Sequence, residues 1–380
     1  MCVTSYFGKA GADANEHDRL SRIEMARRLA RLTGGRFDDR LVFQGSEPKT
    51  SERRLWIPLE VLTTHEAWEL GISEESDLFG GVVPYDFVAT KIVTHGLISS
   101  DCMAPDGWAS GLADALGDSV LRGFSAFSIA DIRRGAHKLL ERGPIRLKDV
   151  RAKGGYGQIT LSDRDAVDKA LAQLDPAEVE THGIVLEENL EDVVTYSVGC
   201  VRLPGCSIAY WGTQRLTTDN DGACVYGGSQ LHVIQGDLAA LVRCHLAPEL
   251  ADAIIKAEHY DRAVFSAYPE TYASRRNYDV VAGRDGAGER RVGVLEQSWR
   301  AGGASGASGA EIAALEAFTR NPELTSITCA PMEVFGDLDA APPDAMLYYR
   351  GVDPVAGPLV KYAVLDDGKE RTCFDRGRRE

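Results

Sequence analysis

Residues 143–157 read GPIRLKDVRAKGGYG: Gly143-Pro144 closes a helical stretch, Ile145-Arg-Leu-Lys148 alternates as a strand, and Gly154-Gly155-Tyr156-Gly157 forms a glycine-rich turn. A strand that ends in lysine and runs into such a turn can lay backbone N–H groups over a polyphosphate while the ammonium neutralises it. The stretch is not a Walker loop, because no Gly-Lys-Ser/Thr follows, and no Gly-x-Gly-x-x-Gly opens a helix. A tight turn that needs glycine for positive φ is the plain alternative.

Working downstream, Gln158-Ile-Thr-Leu161 reads as the returning strand, a helix is expected over 163–174, and strands over 183–187 and 195–202. Val185-Leu-Glu-Glu-Asn-Leu190 is an apolar strand that breaks into consecutive acids. Such a break exposes backbone groups where an adenine could pair, with a carboxylate accepting from its amine; a solvated acidic turn is the alternative. A second α+β unit spans Ile208 to about Val334 and ends in a hairpin, Tyr278–Ala282 and Val292–Leu295 around the turn at 283–288. Asp279 lies on one strand and Glu296 on its partner, with Ser298 and Arg300 on the face of Glu296 by the two-residue period. Two carboxylates on paired strands suit Mg²⁺, which takes oxygen ligands and shares them with phosphate. The alternative is a salt bridge among Glu296, Arg300 and Arg276.

Working upstream, 17–34 reads as an amphipathic helix with a solvated basic face, 54–63 and 78–88 as short strands in an α/β layer, and 129–140 as a helix with Asp131 near its start. The small-residue run Ala301–Ala310 is either a linker or a loop that lets backbone approach a ligand ahead of the helix beginning at Glu311. The polar stretch 211–222, with 225–229, is either a surface hairpin or an acceptor site in which Arg215 binds a carboxylate. His95, His182, His232, His245 and His259 have no metal-ligand spacing and read as core or surface residues. Residues 347–365 read as further strands and 375–380 as a disordered tail.

The chain is 380 residues long, more than one small core serves. Its 42 basic and 57 acidic residues leave a net charge of −15, which disfavours nucleic acid and anionic membranes as partners. No apolar run is long enough to span a bilayer, and charges fill the first twenty positions, so a cytoplasmic protein is expected. Eight cysteines without a C-x-x-C pair point to reduced thiols rather than disulfides or zinc.

The order of these pieces, from lysine strand and glycine turn through acidic hinge to Asp and then Glu-x-Ser-x-Arg, resembles the ATP-grasp superfamily from about residue 83 to 318. More narrowly, the chain is similar to an uncharacterised bacterial family described as biotin-carboxylase-like. The resemblance implies an α/β and α+β chain in which two α+β subdomains clamp ATP and Mg²⁺ behind an N-terminal α/β domain. The expected division is 1–95 for that domain, 96–142 for a helical connection, 143–205 for the small subdomain, 206–335 for the large one and 336–380 for C-terminal strands and tail. By the same resemblance Lys148 and Lys91 contact phosphates, Gly154, Gly155 and Gly157 cover them, and Glu187 accepts from adenine, with Glu188 and Leu190 offering backbone groups. Asp279 and Glu296, with Ser298, hold the metal, and Arg300, Arg276 and Arg215 are the candidate catalytic cations. Two departures stand out: Ser298 replaces the usual Asn, and Glu191 and Asp192 fall early for a ribose-binding acid. The implied activity joins a small-molecule carboxylate to a nucleophile through an acyl phosphate, releasing ADP and phosphate, with a homodimer left open. A non-catalytic ATP sensor and an ATP-dependent kinase are the competing readings.

Overall fold

The structure is a computed structural model that describes residues 1–8, 15–46, 52–152, 157–301 and 307–366. Strand β1 (Cys2–Gly8) is buried almost throughout, as a parallel strand covered on both faces must be. Helix α1 (Glu16–Leu32) lays Met25, Ala26 and Leu29 against Val3 and Leu55, and β2 (Arg36–Phe43) and β3 (Arg54–Pro58) flank β1 in parallel. Next come β4 (Leu62–Thr63), α2 (Thr64–Glu69), β5 (Gly81–Val83), a 3-10 turn at Lys91–Thr94, α3 (Leu112–Leu116) and β6 (Gly123–Ala126). Thr63 and Glu66 cap α2 reciprocally. Helix α4 (Ile129–Leu140) starts at the Ser128 side chain, which accepts from the Asp131 N–H, and is followed by Gly143-Pro144 as read from the sequence.

Strands β7 (Ile145–Asp149) and β8 (Gln158–Leu161), helices α5 (Arg164–Leu171) and α6 (Pro176–His182), and β9 (Ile184–Glu188) complete a small four-stranded sheet, ordered β6-β9-β7-β8. The helix expected over 163–174 is therefore shorter, and a second one begins at Pro176, where proline suits the first helical turn. Helices α4 and α5 cover the sheet through Ile132, Ala136, Val167 and Leu171 packed on Leu147 and Leu186.

The remaining strands are β10 (Glu191–Leu203), β11 (Cys206–Thr218), β12 (Cys224–Gln235), β13 (Tyr272–Ala273), β14 (Arg275–Arg284), β15 (Arg290–Ser298), β16 (Ser326–Phe335), β17 (Met346–Asp353) and β18 (Gly357–Asp366). All but β13, which pairs with β5, build an antiparallel sheet of eight strands in the order β15-β14-β10-β11-β12-β16-β18-β17, accompanied by α7 (Leu238–Val242), α8 (Pro248–Ala267) and α9 (Ala307–Arg320). The sheets divide the chain differently from the sequence reading. Strand β6 and helix α4 join the small subdomain, whereas β10, β17 and β18 join the large sheet. Spacing along the chain carried no information about which sheet a strand pairs with. Helix α8 packs Ile254, Tyr260 and Val264 on one face with Val198, Tyr278 and Val294, while α9 and α1 cover the other through Ile312, Leu315 and Leu29 with Ile208 and Tyr210.

Two buried guanidinium groups pin these layers together. Arg275 has no exposed side-chain surface; it pairs with Glu311 of α9 at 3.0 Å, and its Nη1 donates to the carbonyls of Ser298 and Arg300 at 2.9 and 2.6 Å. Arg22 of α1 donates to Ala301 O at 2.7 Å and to Leu59 O at 3.2 Å, tying the N-terminal sheet to the chain leaving β15. Replacing Arg275 by Met would strand the Glu311 charge, a loss of about 3–5 kcal/mol. Arg133→Met, at an exposed pair with Asp168, should cost under about 1 kcal/mol. Denaturant unfolding of both variants checks this, and equal losses would contradict it.

Candidate active site

Strands β14 and β15 pair so that Asp279 stands opposite Glu296 and Asn277 opposite Ser298. The register then slips, Val280 facing Val294, which leaves Leu295 as a bulge. A bulge lets two consecutive side chains leave one side of a strand. Glu296 and Leu295 accordingly both turn to the face of Asp279, while Val294 packs under α8.

Asp279 Oδ1 accepts from Gln214 Nε2 at 2.9 Å and from Asn277 Nδ2 at 3.1 Å. Burial and the facing Glu296 carboxylate push Asp279 up to about 7. Glu296 Oε2 lies 2.9 Å from Lys91 Nζ, which also donates to Ala152 O at 2.9 Å. Lys91 thus joins β15 to the segment that follows β7. Two facing carboxylates supply hard oxygen donors that suit a divalent cation.

Lys148 ends β7 almost fully buried, and its ammonium donates to Glu187 Oε2. The other oxygen of Glu187 lies 3.0 Å from His95 Nε2. Desolvation alone would raise the Glu187 carboxyl, but Lys148 and the His95 hydrogen bond outweigh it and hold the group at about 2. Both Glu187 oxygens are therefore engaged within the protein, one of them by the phosphate-binding candidate. His95 has room because residue 123 is glycine: a Cβ there would stand 2.7 Å from the ring. Sequence reasoning missed His95, since its partner is 92 residues away. Leu190 packs with Leu121, Val281 and Leu295 as a small apolar patch between the hinge and the carboxylate strands.

The other expected residues fall as follows. Gly157 adopts φ +64°, where a Cβ would meet Ala152 at 2.5 Å, and its carbonyl accepts from Asp149 N–H at 2.9 Å; Gly154 and Gly155 lie outside the described residues. Glu188 accepts from Arg122 and Arg291 at 3.1 and 3.3 Å, and its N–H is taken by Arg122 O. Arg300, just beyond the end of β15, pairs with Glu60 at 3.4 Å. Arg276 does not join it. Its guanidinium bonds Asp261 of α8 at 3.1 Å and lies over the Phe265 ring, on the helix-covered face, because it alternates with Arg275 and Asn277. Arg215 is exposed on the side of β11 opposite Gln214, the residue that reaches Asp279. The three arginines do not converge, and the salt bridge considered among Glu296, Arg300 and Arg276 is not formed. A cavity of about 580 Å³ opens beside His95 and Glu188 against Arg122, Lys256 and Arg290; neither Lys148 nor the paired carboxylates line it.

A family model described as "Protein of unknown function (DUF3182)" matches residues 6–363. The chain belongs to this family. No curated protein matches it in sequence. Among solved structures it is similar to a biotin carboxylase from Campylobacter jejuni in complex with a nucleotide, with TM-score 0.50 and 10% identity over 96% of this chain and 87% of that one. It is also similar to the carboxyaminoimidazole ribonucleotide synthase of Aspergillus clavatus complexed with ATP, at TM-score 0.49 and 13% identity over 96% and 94%. A third is the phosphoribosylamine–glycine ligase of Thermotoga maritima, at TM-score 0.47 and 14% identity over 97% and 93%. The DUF3182 chain has the ATP-grasp fold. No helix among its described residues is long and apolar enough to cross a membrane.

Because Asp279 holds its proton up to about pH 7, its native carboxyl binds that proton more tightly than the unfolded chain does. Its contribution to stability therefore grows as pH falls from about 7 towards the ordinary carboxylate range. A divalent cation must displace that proton, so Mg²⁺ titrated at pH 6 should bind roughly tenfold more weakly than at pH 8. Asp279→Asn should remove the dependence; equal wild-type affinities at both pH values would contradict the assignment.

Proposed function

We propose that this protein is an ATP-dependent ligase that activates a small-molecule carboxylate as an acyl phosphate and passes it to an amine or similar nucleophile. The observation that carries the reading is Asp279 opposite Glu296 on paired strands, with Lys91 on Glu296 and the buried Lys148 at the end of the glycine-turn strand. The fold shared with nucleotide-bound biotin carboxylase supports it. Leu190, Val281 and Leu295 offer an apolar floor for the adenine, and Lys148 and Lys91 are the ammonium groups for the phosphates.

Mg²⁺ held by Asp279 and Glu296 would neutralise phosphate charge during transfer. The chain's own share is positioning and electrostatics, which phosphoryl transfer chiefly demands. Lys148 is stored against Glu187, so incoming phosphate oxygens exchange with a carboxylate instead of desolvating a free ammonium. Arg300, beside Glu60 at the edge of the N-terminal sheet, is the cation placed for an acceptor carboxylate. No side-chain nucleophile is required, because the substrate carboxylate attacks the γ-phosphorus. A small-molecule acceptor and a cytoplasmic setting fit the net charge of −15. Ser298, in place of the usual Asn, favours a second reading, an ATP-binding sensor without turnover.

Incubation with Mg-ATP and a panel of carboxylates and amines should release ADP and phosphate in step with product, without AMP. AMP with pyrophosphate would point to adenylation, phosphate retained on the acceptor to a kinase, and nucleotide binding without turnover across the panel to the sensor. Lys148→Ala should lower kcat/KM for ATP by about 100-fold or more and Glu296→Ala should abolish Mg²⁺-dependent turnover; near-normal rates would remove either residue from the site.

A further inference from the structure

The cavity of about 580 Å³ beside His95 has the volume of a small-molecule site, a class that spans about 300–1,000 Å³. Val292 of β15 and Asp252 and Lys256 of α8 line it, which puts it on the α8 side of the large sheet. Asp279, Glu296 and Leu295 face the other side, so a nucleotide bound against them leaves this space free.

The cavity wall carries cations whose charge the protein does not fully use. Lys256 is largely buried, and its ammonium donates to two backbone carbonyls, Asp118 O at 2.6 Å and Val292 O at 3.1 Å. The carboxylate paired with it, that of Asp118, stands 3.6 Å away on a side chain 97% exposed to water. Carbonyl dipoles satisfy the donors of such an ammonium without cancelling its charge, which still attracts an anion. Arg290 is held by an exposed pair with Glu249 at 3.1 Å, a contact worth little in water and open to exchange. Arg122 and Arg291 both pair with Glu188 and Asp285, so each of these cations is matched by a carboxylate. Asp252, the remaining acid on the wall, has no side-chain partner among the described residues and suits a hydroxyl or amino group of the same ligand.

His95 belongs to both places. Its ring lines the cavity, and its Nε2 lies 3.0 Å from Glu187 Oε1, while the other Glu187 oxygen accepts from Lys148. One imidazole therefore stands between the cavity and the carboxylate that holds Lys148. A ligand that touches the ring changes how Glu187 is shared between His95 and Lys148.

We propose that this cavity is a second ligand site, for a phosphate-bearing small molecule with Lys256 and Arg290 as its anion contacts, and that His95 couples its occupancy to Lys148. The coupling rests on the nucleotide reading above; the binding site does not. Linkage makes the coupling reciprocal, so nucleotide and anion change each other's affinity by the same factor.

Calorimetric titration of the full-length protein with inorganic phosphate, in magnesium-free buffer of low ionic strength, tests the site. Wild type should bind one phosphate per chain, and Lys256→Met and Arg290→Met should each weaken it at least tenfold. Arg290→Met, at an exposed position, guards against misreading a Lys256→Met chain that folds poorly. No saturable binding, or affinity that both variants leave unchanged, would overturn the site. A second titration with Mg²⁺ and a saturating non-hydrolysable ATP analogue tests the coupling. The phosphate affinity of wild type should change at least threefold, whereas that of His95→Gln, which keeps a donor for Glu187 without the ring, should not. Loss of phosphate binding on saturation with the analogue would place the anion in the nucleotide site and overturn the proposal. An unchanged affinity in wild type, or an equal change in His95→Gln, would overturn the part of His95. No binding of the analogue itself would overturn the nucleotide reading and leave the anion site standing.

Discussion

Two carboxylates held face to face on neighbouring strands repel each other, and most of the polar architecture of this chain serves to keep Asp279 and Glu296 in that position. Lys91 offsets the charge of Glu296 at 2.9 Å, and Gln214 donates to Asp279. Behind them Arg275, paired with Glu311 and out of reach of water, grips the carbonyls of Ser298 and Arg300, while Arg22 grips that of Ala301. The strand bearing Glu296 is thereby fixed at its exit by two cations from different layers.

The same economy governs the small subdomain. Lys148 is buried where an unpaired ammonium would be costly, and it is stabilised by a carboxylate that also receives His95. Lys91 spans from Glu296 to Ala152, which ties β15 to the segment that leaves β7. Each lysine is paired with a carboxylate, which under the proposed function phosphate oxygens would replace.

Much of this was legible in the sequence. The lysine strand and the hairpin carrying Asp279 and Glu296 are local patterns, set by alternation and turn chemistry over a few residues, and both are strands in the structure; the acidic break comes later than the sequence suggests, because β9 continues through Glu188. Arg276, a candidate catalytic cation in the sequence, directly follows Arg275 and so points to the opposite face, where Asp261 and Phe265 hold it. His95, Gln214 and Asn277 gave no signal because their meaning depends on partners in other elements. Strand β10 went to the wrong subdomain for a related reason, since its pairing with β14 joins segments about 80 residues apart. The bulge at Leu295, which brings an apolar residue and a carboxylate to one face, shows only in the register.

The most direct test of the central claim is the melting temperature of wild type and Lys148→Ala with and without millimolar Mg-ATP. A ligand bound only by the native state stabilises it by RT ln(1 + [L]/Kd), about 2.7 kcal/mol at a hundredfold excess over Kd. The account predicts a magnesium-dependent rise in wild type that shrinks in the variant. No rise in wild type, or an equal rise in both, would contradict it.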